Sequence, residues 1–435
     1  MRFSEYIRNK AFRALDRMRK EPINGMIKEL DAFNAAGKPY QDVLIKLNRF
    51  LNEVQTSSVF YANNNPGTNL SGYPIVKKRL LKEHMEQVLS SKYTRKELVP
   101  VTTSGSYGVP FTFYLTPQKK KRQLAEVIHF SSRAGYRVGV CHGYFRTNLP
   151  KSSRKLWFQN QIFIPSKVLD KHFLENTRSL LKSKKVKVLI GFPSAMALLA
   201  TYCLEQGDRP EEFGIQGILA FAENLTAKHR DYLVKAFGCP VHSRYATEEL
   251  GVLGYQTDNH SGFELNSLNY IIEVLDLDKD VSVKPGEVGR VVVTDLHSDA
   301  MPLIRYETGD LAQLGQVFDE NPNWAKSLTS LSGRSVQLLY ATNGERLYPL
   351  YMDLFMEESE IFVQYQMIQE SKKLFTLKLV PKSNYDPADF SEDALIADLK
   401  NWLGSDAEIN IQLVEDIEKL PSGKRPYIIN RLASV

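Results

Sequence analysis

The sequence predicts an α/β protein. It has a large N-terminal domain with a mostly parallel sheet and a β-rich subdomain, then a small mobile α+β domain at the C-terminus. Three observations predict this. Short apolar, β-type runs alternate with amphipathic helical runs from about residue 95 to residue 247, the pattern of βα units. The chain of 435 residues is longer than a single hydrophobic core usually organises. The last hundred or so residues restart the pattern as strands, helix and strand after a glycine-arginine break.

In order along the chain, residues 1–55 read as helices. "PINGMIKELDAF" and "YQDVLIKLNRFLNEV" space their apolar residues by three and four, and "AAGKPY" separates them. "PIVKKRLLKEHMEQVLS", residues 74–90, reads as a polar helix begun at a proline. Next, "ELVPVTTSG" reads as strand then loop and "KKKRQLAEVIHFSSRAG" as helix. "VKVLIGFPS" and "IQGILAFAEN" read as strands followed by the helices "AMALLATYCLEQG" and "TAKHRDYLVKAFG". "PVHSRYA" is a further strand, and "FELNSLNYIIEVLDL" and "EVGRVVVTDLHSD" are expected to run antiparallel. The expected division is a domain over 1–334, of which 1–90 is a mainly helical lead-in, and a C-terminal domain over 335–435.

Composition narrows the function classes. Apolar residues make up 43% and charged residues 24%, an ordinary globular balance that argues against disorder. Cys141, Cys203 and Cys239 are scattered and odd in number, which predicts a reducing, cytoplasmic setting rather than a disulfide framework. "VLIGFPSAMALLATYCL", residues 188–204, carries no charge. Its internal Gly191-Phe192-Pro193 divides it into a buried strand and a buried helix rather than a membrane span. The net charge of +6 is concentrated in the first twenty residues, which hold seven Lys or Arg against two Asp or Glu. No nucleic-acid partner is expected, because the rest of the chain is near neutral. The basic segment has two readings. It is a peripheral contact for an acidic membrane or partner, or a solvated helix whose Phe3, Ile7 and Leu15 touch the body of the protein.

Five short segments carry chemistry. "TSGSYGVP", residues 103–110, combines glycines, which let backbone approach a ligand, with hydroxyls that donate to phosphate oxygens. It lacks the GxxxxGK[ST] of a P-loop. "YATEELG", Tyr245 to Gly251, places a carboxylate at a strand end, where Mg²⁺ could take one or two protein oxygens plus phosphate. "MPLIRYETGDLA" puts Asp310 after a glycine, able to accept from two ribose hydroxyls. "SGR", Ser332 to Arg334, lies at the expected domain boundary, and "LPSGKRPYI" presents Lys424 on a glycine loop. Each alone also reads as ordinary: a surface turn, a solvated glutamate pair, a Gly-Asp turn.

Taken in order, these segments resemble the adenylate-forming superfamily of acyl-CoA synthetases and adenylation domains. Within it the chain resembles the phenylacetate–coenzyme A ligase branch and its CapK-like capsule-biosynthesis proteins. "LSGYPIVKKRLLKEHM" and "IGFPSAMALLATYCLE" are similar to stretches of that branch. The resemblance runs over residues 55–430. It implies an AMP-forming ligase that joins a carboxylic acid to the α-phosphate of ATP, releases pyrophosphate and passes the acyl group to a thiol (coenzyme A) or an amine, as in polysaccharide biosynthesis. The alternative it leaves is a non-catalytic nucleotide-binding scaffold.

The resemblance also implies roles. Thr103, Ser104, Gly105, Ser106 and Gly108 would hold the leaving phosphates, Thr247 would contact the α-phosphate and Glu248 would hold Mg²⁺. Tyr245 would lie against the nucleotide, Asp310 would bind ribose, Arg334 would bind ribose or phosphate, and Lys424 would bridge carboxylate and α-phosphate. Aromatic residues near the motif ends, Tyr144, Phe145, Phe192 and Phe221, are expected to line the acid pocket. The chain departs from the family at four points. Tyr107 stands where a second hydroxyl residue is usual, Ala246 replaces glycine, Ser335-Val336-Gln337 replaces acidic hinge residues, and His260 has no nearby cysteine. The last departure predicts no zinc.

Overall fold

The computed structural model of the protein describes residues 3–64, 69–102, 111–146, 152–166, 169–257, 262–334, 338–347, 361–382, 385–418 and 425–432. The phosphate-loop candidates Thr103, Ser104, Gly105, Ser106, Tyr107 and Gly108 lie outside the described residues, as do His260, Ser335, Val336, Gln337 and Lys424.

The chain opens with helices α1 (Phe3–Met18), α2 (Pro22–Ala35), α3 (Tyr40–Ser57) and α4 (Val59–Asn64). The polar helix expected over 74–90 is instead two short helices, α5 (Lys78–Glu83) and α6 (Met85–Val88), broken at His84. Its expected first turn is used differently, because Val76 forms a β-bridge with Tyr306. The hairpin β1 (Val99–Thr102) and β2 (Thr112–Leu115) follows, pairing Thr102 with Thr112 across residues 103–110. Helix α7 (Pro117–Ser131) starts where Pro117 fills its first turn and the Thr116 hydroxyl accepts from the Lys119 N–H.

The βα units come next: β3 (His142–Arg146), α8 (Ser153–Gln159), β4 (Gln161–Pro165), α9 (Lys171–Lys184), β5 (Val188–Gly191), α10 (Pro193–Glu205), β6 (Gly217–Phe221), α11 (Ala227–Phe237) and β7 (Val241–Thr247). β4, β3, β5, β6 and β7 lie side by side and parallel. All four residues of β5 are buried, as befits a parallel strand covered on both faces. The uncharged run 188–204 is thus a strand and a helix, and no helix among the described residues is long and apolar enough to cross a membrane.

At β7 the sheet changes character. Strands β8 (Gly251–Gln256), β9 (Phe263–Leu265), β10 (Tyr270–Leu275), β11 (Val288–Asp295) and β12 (Tyr306–Leu314) lead to a ribbon, β13 (Val317–Phe318) with β14 (Asn321–Ala325), and then β15 (Ser327–Arg334). The sheet order is β10-β11-β12-β15-β9-β8-β7-β6-β5-β3-β4, antiparallel on the β8 side of β7. The result is one mixed eleven-stranded sheet.

After β15 come a two-stranded ribbon, β16 (Leu339–Tyr340) and β17 (Arg346–Leu347), and the strands β18 (Phe362–Gln369), β19 (Leu374–Pro381), β20 (Glu408–Leu413) and β21 (Ile428–Asn430), with helix α12 (Glu392–Leu403) between β19 and β20. The four longer strands form a separate sheet in the order β20-β19-β18-β21. Leu395, Leu399 and Leu403 of α12 pack with Met367, Phe375 and Leu377 in a core of their own. This unit touches the βα units at a few points. The Lys228 ammonium donates to the Phe362 carbonyl at 2.9 Å, and Val363, Val380 and Ile417 meet Leu198.

The N-terminal helix corrects one expectation. Phe3 and Met18 of α1 are 79% and 81% exposed, and Ile7 and Leu15 are also exposed. The inward face carries Glu5 and Asp16 instead. Glu5 pairs with Lys187 at 2.9 Å, and Asp16 accepts from the N–H groups of Ile23 and Asn24 at the start of α2. Two carboxylates with specific partners outweigh a weak apolar stripe in choosing the buried side.

Candidate active site

Of the described candidates, Tyr245, Thr247, Glu248 and Phe221 lie at the C-terminal ends of the parallel strands, the edge where open α/β sheets bind ligands. β7 supplies Tyr245 and Thr247, and its last turn supplies Glu248. Phe221 at the end of β6 pairs with Arg244 of β7. β12 reaches the same place from the antiparallel half and delivers Asp310.

The Tyr245 hydroxyl donates to Asp310 Oδ2 at 2.7 Å. Burial pushes the Tyr245 phenol well above its ordinary range, and the Asp310 carboxylate adds to the push, so it stays a donor. Asp310 follows Gly309, whose φ of +81° is readily reached only without a side chain, and its N–H donates to the Thr308 hydroxyl. The backbone of Arg334 pairs with Asp310 across β12 and β15. The fold therefore brings together Tyr245, Asp310 and the main chain of Arg334.

The turn Thr247–Gly251 joins β7 to β8, and the Thr247 hydroxyl accepts from the Leu250 N–H at 3.2 Å. The two glutamates in it differ. Glu249 is buried and accepts from the Tyr306 hydroxyl at 3.1 Å, whereas Glu248 is exposed, with no ion pair among the described residues. A single outward carboxylate suits Mg²⁺, which takes few protein oxygens and completes its shell with phosphate and water. Among the described residues there is no cluster of three or more His, Cys, Asp or Glu able to hold a metal alone.

What holds this turn was not legible in the motifs. The Gln123 amide donates to the carbonyls of Glu248 and Glu249 at 3.2 and 3.4 Å. Glu126 Oε2 accepts from the Val252 N–H at 2.9 Å, and the Tyr270 hydroxyl lies 2.6 Å from the Leu250 carbonyl. A Cβ on Gly251 would sit 2.3 Å from Glu126 Oε2 and 2.6 Å from the Tyr270 hydroxyl, so only glycine lets the turn rest on this network. Beneath it, Lys119 lies 2.8 and 2.6 Å from the two oxygens of Asp295. Burial pushes the carboxyls of both Glu126 and Asp295 up, and Lys119 opposes the push at each. Lys119, Arg122, Gln123 and Glu126 recur at steps of three, four and seven along α7. That signal is visible in sequence, but identical to a solvated helix face.

Two further acid and base groups join the site. Glu223, just past β6, accepts from the Ser194 hydroxyl at 2.7 Å through one oxygen and from the Arg425 N–H at 3.2 Å through the other. It thereby ties the start of α10 to the C-terminal unit. Arg425 is itself held by Asp416 at 2.7 and 2.9 Å. Of the expected pocket aromatics, Tyr144 and Phe221 meet at 5.7 Å and Phe192 lies 6.1 Å from Phe221. The fold does not bring Phe145 to them. Strand alternation turns it to the other face of β3, where it is fully buried with Leu189, Ala195 and Leu199.

With this geometry established, comparisons place the chain among known proteins. Residues 339–431 match the CapK C-terminal domain family. Protein CapK of Staphylococcus aureus is 23% identical over 411 residues, covering 89% of this chain and 88% of that protein. A phenylacetate–coenzyme A ligase of Thermus thermophilus is 26% identical over 193 residues, 43% of each chain. Among solved structures, a 2-hydroxyisobutyryl-CoA ligase with a bound acyl-AMP in its postadenylation state superposes with a TM-score of 0.69 at 18% identity, covering 92% of this chain and 91% of that one. The chain is a homologue of CapK and of the phenylacetate–coenzyme A ligases, with the fold of the adenylate-forming ligases and a C-terminal unit that matches the CapK C-terminal domain.

Proposed function

We propose that the protein is an AMP-forming ligase. It activates a carboxylic acid with ATP as an acyl-adenylate, releases pyrophosphate, and transfers the acyl group to the thiol of coenzyme A or to an amine. One observation carries the proposal: the Arg425 N–H is seated on Glu223, at the strand edge that also presents Thr247, Glu248 and the Tyr245–Asp310 pair. Lys424 precedes Arg425 in the chain. A cation carried by the small unit thus belongs to a segment anchored at the edge where the nucleotide site would lie.

In this reading residues 335–435 act as a lid on residues 1–334. Thr103, Ser104, Gly105, Ser106 and Gly108, in the sequence that links β1 to β2, hold the β- and γ-phosphates, Thr247 donates to the α-phosphate, and Asp310, fixed by Tyr245, accepts from ribose hydroxyls. Arg334, the last residue of β15, is the group that would bind ribose or phosphate. Mg²⁺, held by the Glu248 carboxylate, would neutralise phosphate charge. As the acid oxygen attacks phosphorus, negative charge gathers there, and Lys424 meets it only with the lid docked. The deprotonated acid needs no base, so the residues' work is orientation and charge stabilisation.

The test is ATP–pyrophosphate exchange with a panel of acids. Exchange with any acid supports the ligase. A protein that binds ATP but exchanges with none is the scaffold instead.

A further inference from the structure

Two arginines stand beside the expected acid pocket without an ion pair among the described residues. Arg146 ends β3 and Arg244 lies on β7, and the parallel register places both on the same face of the sheet as Tyr144 and Phe221. The four side chains form a continuous row. The Arg146 guanidinium lies 4.9 Å from the Tyr144 ring, Tyr144 lies 5.7 Å from Phe221, and the Arg244 guanidinium lies 5.0 Å from Phe221. Neither arginine has an ion pair among the described residues, and Arg244 Nε is buried without a hydrogen bond. Burial pushes the Arg244 guanidinium below its ordinary value and Arg146 adds repulsion, while the Glu248 carboxylate, which forms no ion pair with it, opposes the shift. Stacking on aromatic faces repays part of that cost, but a partly buried guanidinium with an unpartnered buried Nε is completed best by an anion. The planar fork of each side chain suits the oxygens of a carboxylate or phosphate.

Resting on the ligase reading above, we propose that the acid substrate carries a second anionic group, a carboxylate or a phosphate, seated between Arg146 and Arg244, so the pocket selects dianionic acids over apolar ones such as phenylacetate. The test compares exchange rates for phenylacetate, benzoate, glutarate and 3-phosphoglycerate in the wild type, Arg146→Met and Arg244→Met. Wild type is expected to favour a dianionic acid, glutarate if the group is a carboxylate and 3-phosphoglycerate if it is a phosphate. Each substitution should cut the dianion-to-phenylacetate ratio of kcat/KM by about 10²-fold, the scale of losing one partner of a desolvated charge pair. Preference for phenylacetate or benzoate in the wild type, or an unchanged ratio in both variants, overturns the proposal. Silence with all acids counts against the ligase reading instead. The anion site is then judged by thermal shift with glutarate and with inorganic phosphate. A rise in Tm lost in both variants supports it, and no rise in the wild type overturns it.

A separate observation concerns the surface of α1. Its two carboxylates are consumed inward, so the outward face presents Phe3, Ile7 and Met18 among Lys10, Arg13 and Arg17. Beside it on α8, Trp157 and Phe158 are 63% and 68% exposed, next to Arg154 and Lys155. Arg8 joins the two helices, donating to the Trp157 carbonyl at 3.1 Å and lying over its ring. Exposed apolar and aromatic side chains ringed by cations complement an anionic bilayer surface. The geometry points to peripheral docking of this face on anionic lipid. In flotation assays the full chain should bind vesicles of phosphatidylcholine with about 30% phosphatidylglycerol, not phosphatidylcholine alone, and lose binding several-fold as NaCl rises from about 0.05 to 0.5 M. Ile7→Asp and Trp157→Ala should each weaken binding without lowering Tm. Absence of binding at low salt, binding indifferent to both substitutions, or a dimer dissolved by Ile7→Asp would overturn this assignment, the last by showing that a second copy covers the face.

Discussion

Helix α7 and the strands β3 and β7 hold charge in opposite ways. On α7, Lys119 faces Asp295, Arg122 donates to Asn269 and Glu29, and Glu126 receives Val252, Asn269 and Tyr270. Every one of those charges has a partner. On the strands, Arg146 and Arg244 lie on aromatic rings with no ion pair among the described residues, Glu248 acting on Arg244 only at longer range. A satisfied network rigidifies, and here it fixes the turn that carries Thr247 and Glu248. An unsatisfied pair of cations costs stability and is retained where a ligand completes it.

The largest expected effect breaks the satisfied side. Lys119→Met strands Asp295 and Glu126 in the core without their cation and should cost about 3–5 kcal/mol of stability, read from urea unfolding. Combining it with Asp295→Leu should recover much of that loss, since replacing a whole buried pair is often neutral. Arg244→Met should do the reverse of Lys119→Met. It removes an unpaired cation, so urea stability should hold or rise by up to about 1 kcal/mol while selectivity collapses.

A pH titration probes a third buried group. His229 faces the C-terminal unit, making a hydrogen bond to the backbone of Val363, and burial lowers its pKa to about 4, with Lys228 adding repulsion. The unfolded chain therefore binds a proton below about pH 6.5 that the folded chain refuses. The stability held by neutral His229 is complete above that pH and declines as pH falls toward about 4. At pH 5 the loss should reach about 2 kcal/mol, and it should shrink in His229→Gln. Smaller still, Tyr245→Phe removes one donor to Asp310 and should raise the KM for ATP about tenfold, the scale of one hydrogen bond to a charged acceptor.

These contrasts mark what the sequence could disclose. The βα alternation was readable because Val, Leu and Ile runs such as 188–190 are separated by helix-starting Pro193 and Thr226. The family resemblance was readable because five motifs follow one another in a fixed order, and the chain is a homologue of CapK. The network on α7 was not, since polar residues at helical spacing look the same whether they meet water or Asp295. The orientation of α1 was misread for a related reason. Hydrophobic pattern says nothing of Lys187, which waits far along the chain for Glu5. Val76 likewise leaves its expected helix for a bridge to Tyr306, a partner set only by the tertiary fold. Of the glutamates 248 and 249, adjacency in sequence hid that one is buried on Tyr306 and the other turned outward.

In the proposed mechanism the lysine beside the anchored Arg425 stabilises acid activation at this edge. ATP–pyrophosphate exchange in wild type and Lys424→Ala, with the best acid of the panel, tests it most directly. Measurable exchange is expected in the wild type and a loss of about 10²–10³-fold in the variant, with ATP binding retained. Equal exchange in the two proteins would contradict it.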